Sequence, residues 1–151
     1  MREIAPAGYE TDFARWAESQ AAALRAGRFA ELDVENLAEE VDALARRDRR
    51  ELLSRLTVLA VHLLKVRYRP DRASGSWRGT IVEQATRIRR LLEESPSLAP
   101  LVQEFAGTAY GDARRQAAAE TGLPVATFPE ELEPEFERAA ARAIGGDDFE
   151  F

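Results

Sequence analysis

The chain has 151 residues, 45% hydrophobic and 32% charged, with a formal net charge of −6; that is enough for one domain with a real core and the wrong overall sign for a general polyanion binder. It contains no cysteine, which excludes disulfides, thiolate metal sites, iron–sulfur clusters and cysteine nucleophiles. The most apolar run, "LTVLAVHLL" at 56–64, is too short to span a bilayer, and "MREIAPAGYE" lacks the apolar core of a signal peptide, so a single soluble, cytoplasmic domain over 1–151 is expected.

The pattern is helical almost throughout. A first helix starts at the capping residues Thr11 or Asp12, buries Phe13, Trp16 and Leu24, and stops at Gly27. After the short connector "RFAELD", Asp33 caps a long segment that runs to about Arg69, where Pro70 forbids continuation. Leu37, Val41, Leu44, Leu52, Leu56, Leu59, Leu63 and Val66 form one helical stripe in it, interrupted at Asp48. Two readings fit that interruption: an unbroken helix over 33–69, about 54 Å long at 1.5 Å per residue, or one kinked near 46–49.

"SGSW" reads as a turn into a serine cap, followed by a third helix from about Trp77 to Glu94 that buries Trp77, Ile81, Ala85, Ile88 and Leu92. "SPSLAP" ends it and opens a fourth helix to Gly122, in which Gly107 and Gly111 either weaken the middle or allow close packing against a neighbour. A proline-punctuated connector, "LPVATFPEELEP", leads to a last helix over roughly 134–144. A frayed N-terminus and a frayed acidic tail, 145–151, complete the chain. The fold class expected is all-α, a compact bundle of about five helices around the long central one.

The stretch "HLLKVRYRPDRASGSWRG", 62–79, holds the only histidine and the only lysine, and sets five cations against Asp71. Arg55, His62 and Arg69 recur at intervals of seven, hence along one line of a helix, with Lys65 beside them. Arg55, His62, Lys65, Arg69, Arg72 and Arg78, with Trp77 as a stacking surface, make an anion or nucleic-acid site the functional reading. The structural reading is that cations at a helix C-terminus meet its negative dipole end, that Trp77 belongs to the third helix's core stripe, and that His62 is a hydrogen-bonded polar residue within the bundle.

Metal chemistry has little to build on. Paired Glu-x-x-His motifs of di-iron bundles are absent, since position 59 is leucine. A magnesium site would rest on Glu35, Glu39 and Asp42, for Glu39-x-x-Asp42 resembles half the signature of all-α nucleotide pyrophosphatases. The other half, Glu-x-x-Glu just upstream, is missing; that spacing occurs only at Glu130 and Glu133, in the connector. Acids in the first turns of a helix are in any case favoured by its dipole. There is no G-x-S-x-G and no P-loop.

Four segments in order, "FARWAESQAAALRAGRFAELDVENLAEEVDAL", "RRELLSRLTVLAVHLLKVRYRP", "SWRGTIVEQATRIRRLLEESPSL" and "TGLPVATFPEE", resemble a bacterial family, the domain of unknown function number twenty-nine, over about residues 9–133. The resemblance implies a compact all-helical domain with no established activity and transfers no catalytic residue. The family's typical motif has a tryptophan after the lysine where this chain has Val66. With no chemical motif intact and no cofactor indicated, the leading expectation is a non-enzymatic protein-interaction module, self-associating or hetero-associating, that stays off membranes. Nucleic-acid or phosphate binding through 62–79 is the alternative. A magnesium-dependent phosphohydrolase on Glu35, Glu39 and Asp42, or a nuclease using His62, is the third.

Overall fold

A computed structural model describes residues 8–150; the N-terminal segment expected to fray lies, through residue 7, outside them. Five α-helices and no strand occur among the described residues: α1 (Phe13–Arg25), α2 (Val34–Tyr68), α3 (Gly75–Glu94), α4 (Ala99–Thr121) and α5 (Pro134–Gly145). The fold is all-α, built on one long central helix. Contacts gather the chain into two compact units, one through Arg46 and the other from Arg47 onward.

In the first unit, Asp12 caps α1 by accepting from the Arg15 amide at 3.1 Å. Gly27, at φ 70°, ends the helix with paired bonds, its own amide to Leu24 O at 3.2 Å and the Arg28 amide to Ala23 O at 2.9 Å. Trp16 is buried, and its indole Nε1 donates to Asp33 Oδ2 at 3.1 Å. Asp33 in turn caps α2, its Oδ1 accepting from the Asn36 amide at 3.3 Å, while its own amide donates to Gln20 Oε1 at 2.7 Å. One aspartate therefore starts α2 and ties it to α1. Asn36, Trp16 and the cap bond hold its carboxyl below the ordinary aspartate range: the hydrogen bond from the Asn36 side chain is the largest cause, ahead of the opposing effect of burial.

α2 is a single α-helix of 35 residues, with no break at 46–49. Asp48 is only half-buried, so the carboxylate on the stripe needs no kink to escape a core. In the second unit, the 56–66 part of α2 is buried nearly all round, as its apolar composition dictates. Leu52, Leu59, Leu63, Ile81, Ile88, Ala113, Phe128 and Phe136 belong to one core cluster. The Tyr110 hydroxyl donates to Pro129 O at 2.8 Å, and Arg114 Nη2 to Phe128 O at 2.9 Å, so α4 pins the connector that carries Phe128.

Several side chains depart from the sequence expectation. Phe13 and Leu24 of α1 are exposed rather than buried, and Val41 and Leu44 on the α2 stripe are exposed as well. Trp77 is half-buried at the edge of the core. A Cβ placed at Gly107 or Gly111 would meet nothing within 4 Å, so neither glycine serves close helix packing. The tail is tied down in part: the Asp147 amide donates to Arg142 O at 2.9 Å, and Phe149 is partly buried against the core.

Candidate functional site

The cations of the basic stretch acquire partners as α2, α3 and α4 come together. Lys65, 6% exposed, donates from Nζ to Glu120 Oε2 at 2.6 Å, and the same ammonium lies 4.5 Å from the centroid of the Trp77 ring. Gln116 Nε2 donates to the other Glu120 oxygen at 3.0 Å. Burial pushes the Glu120 carboxyl up; the hydrogen bonds from Lys65 and Gln116, with the Lys65 charge and nearby His62, outweigh it and leave the carboxyl below the ordinary glutamate range. Trp77 thus faces a lysine of its own chain.

Arg55 pairs with Glu51 across one helical turn, Nη2 to Oε1 2.8 Å, and donates to Gln84 Oε1 of α3 at 3.2 Å. Arg69 Nε is 3.3 Å from Asp71 Oδ1, and its Nη1 donates to Thr121 O, one of the last carbonyls of α4, at 3.4 Å. His62 places Nδ1 3.0 Å from Val58 O, the bond an imidazole makes when it shares its proton with the preceding turn. The Arg78 guanidinium lies 5.8 Å from the Phe149 ring centroid. Arg72 is exposed in the turn Pro70–Arg72. The structure brings Lys65 and Trp77 together, and turns Arg55, Lys65 and Arg69 toward carboxylates of their own chain. Arg67 does the same, Nη2 reaching Glu135 Oε2 at 3.0 Å.

The acids at the start of α2 do not converge. Glu35, Glu39 and Asp42 are exposed, and Glu39 Oε1 pairs with Arg46 Nη2 at 2.6 Å. Among the described residues no group of three or more histidines and acids is arranged to hold a metal ion. Between α2, α4 and α5 lies an open groove of about 120 Å³, lined by Leu56, Ala60, Ala106, Tyr110, Ala140 and Ile144, with Gln103 and Glu137 as its polar groups. It offers apolar contact and very little to activate a reacting atom.

The feature that stands out is a bare apolar face on the first turns of α2. Val34 is 66% exposed, Val41 65% and Leu44 53%, and Ala38 and Ala45 beside them are exposed as well. Val34, Leu37, Val41 and Leu44 repeat at three- and four-residue steps, the spacing of a seam that another helix covers. Further along the same stripe Leu52 and Leu59 are at most 1% exposed. The stripe thus continues past Asp48 in both directions, buried on one side and, with Leu37 half-buried, largely uncovered on the other. Phe13, Leu24 and Phe29 of the first unit are also exposed, so among the described residues six of the eight large exposed hydrophobic side chains lie in residues 13–44.

Val41 and Leu44 belong to the stripe that the sequence shows, and Val34, two turns before Val41, extends it toward the start of α2. The signal available was the seven-residue step from Val34 to Val41, together with the charge at position 48. Glu120, the partner of Lys65, is 55 residues away, and nothing local announces it.

A family model described as "Domain of unknown function DUF29" matches residues 9–142. The chain belongs to this family. The DUF29 match spans α1 through all but the last residues of α5, so both units fall within it. No curated protein matches the DUF29 chain, and no solved structure does. None of its described helices is long and apolar enough to cross a membrane.

Proposed function

We propose that the DUF29 chain is a protein-interaction module and that its docking face is the apolar stripe at the start of α2. The observation that carries this reading is the contrast along one helix between Val34, Val41 and Leu44, more than half exposed, and Leu52, 0% exposed. A helix keeps a coiled-coil-like apolar seam in water at a cost, because each uncovered side chain forgoes part of the roughly 1.5–3 kcal/mol that full burial brings; a partner recovers it. Contiguous apolar surface rimmed by charge is the signature of a protein contact, and here Glu35, Glu39 and Asp42 flank the seam. Anion binding has weaker support, since three of its cations, Arg55, Lys65 and Arg69, already face acids of this chain.

The test is a photo-reactive amino acid installed at position 41 in cells, with Glu94, exposed at the end of α3, as the control position. Covalent protein adducts from position 41 and none from 94 are expected. Irradiation that yields no adduct at 41 overturns the reading.

A further inference from the structure

Charge is distributed unevenly along the bare part of α2. From the cap to Asp42 it carries Asp33, Glu35, Glu39, Glu40 and Asp42 with no base; from 46 to 50 it carries Arg46, Arg47, Arg49 and Arg50 around Asp48. The midpoint of Val41 and Leu44, the centre of the uncovered seam, falls between the two blocks. A helix laid on this seam is therefore best matched if it is basic opposite 33–42 and acidic opposite 46–50. The same segment read in the opposite direction has that pattern.

We infer that the docking face of α2 is covered by α2 of a second copy of this chain, packed antiparallel about a two-fold axis that passes between Val41 and Leu44. The inference rests on the interaction reading above and names its occupant. With the axis there, Val41 of each copy meets Leu44 of the other, which is how the two seam positions alternate in an antiparallel pair. Ala38 and Ala45 lie alongside, and their small side chains let the backbones approach within about 8–10 Å. Glu40 comes next to Arg47 of the second copy on both sides of the axis, as a two-fold contact requires. Glu40 Oε1 accepts the Tyr9 hydroxyl at 2.6 Å, leaving Oε2 to the arginine, and no ion pair within the chain claims Arg47, Arg49 or Arg50 among the described residues. Parallel pairing would stack the acidic block on itself, so like-charge repulsion selects the orientation. With this axis Asp48 falls level with Leu37 of the second copy, at the edge of the two central Val41–Leu44 layers, and a slipped register would bring its carboxylate onto those layers.

The purified full chain should sediment as a concentration-dependent dimer that dissociates further with added salt. Val41→Lys, at an exposed helical position the fold tolerates, should make it monomeric with unchanged circular dichroism. Because the chain has no cysteine, Val34→Cys accepts a single spin label. Antiparallel pairing places the two labelled α-carbons about 25 Å apart along the axis, and parallel pairing about 10 Å. A monomer at every soluble concentration, a dimer unaffected by Val41→Lys, or a parallel-length separation overturns the inference. If the photo-adduct at position 41 then has a mass other than two chains, the face still docks a protein and only the second copy is wrong. If no adduct forms at all, the interaction reading falls with it.

Discussion

Lys65 Nζ donates to Glu120 Oε2 at 2.6 Å while resting against the Trp77 ring, joining α2, α3 and α4 through one buried ammonium. The lysine side chain is 8% exposed and the glutamate 36%, so the two partners differ in what their loss would do. Glu120→Ala strands a charge in the core and is expected to destabilise the fold by about 1–3 kcal/mol, toward the lower end because water reaches the glutamate. Lys65→Met, which keeps the stem and removes the charge, should cost less. Urea unfolding of the two variants reads the difference; a larger loss from Lys65→Met would contradict the assignment.

The depressed Glu120 carboxyl gives the pair a pH dependence. A group whose folded pKa lies below its unfolded value contributes stability above the unfolded pKa and loses it as pH falls through the folded one. Glu120 and Glu135 both lie on the low side, Glu135 chiefly through its hydrogen bond from Arg67. Stability should therefore decline as pH drops below about 4, and Glu120→Gln should flatten that decline. Melting temperatures measured from neutral pH downward test it.

Leu52 and Val41 stand on one stripe of one helix, 0% and 65% exposed. At concentrations where the chain is monomeric, Leu52→Ala is expected to cost about 2–5 kcal/mol through lost burial and the cavity left behind, whereas Val41→Ala should stay within about 0.5 kcal/mol. Equal losses would mean that Val41 is covered within its own chain.

Gly107 and Gly111 lie inside α4 with open space where a Cβ would stand. Each change to alanine should add about 1 kcal/mol, or roughly 2–4 °C in melting temperature for a chain of this size. Gly122, at φ 72°, caps the same helix in the left-handed region; Gly122→Ala should lower stability by about 1–2 kcal/mol. A gain from all three would refute the cap.

Asp33 joins Trp16, Gln20 and Asn36 in the first unit. Asp33→Ala should accelerate amide exchange through 13–46 while leaving the buried 59–66 amides protected. Acceleration in both segments alike would show that the two units unfold together.

Periodicity and caps carried the element order. Asp12, Gly27, Asp33, Pro70 and Gly122 mark ends that backbone chemistry enforces wherever the chain goes, and an all-α chain of five helices followed from them. The 56–66 stretch could be recognised as buried because it is apolar on every side, leaving no face to water. Family membership was legible for the same reason, in the order of the segments themselves.

Tertiary structure decided which part of a uniform stripe is core. Leu37, Val41, Leu44, Leu52 and Leu59 obey one spacing, and spacing states only that a face is apolar, not that the fold supplies something to cover it. It decided that α2 is unbroken, since Asp48 matters only if the stripe is buried there. It also chose the partners of the cations: Lys65 meets Glu120 across 55 residues, a distance over which only packing brings charges together. The helices and their faces follow from the order of residues alone, because those depend on local backbone and side-chain chemistry. Which faces end in protein and which in water depended on long-range packing, and the bare seam of α2 is visible only there.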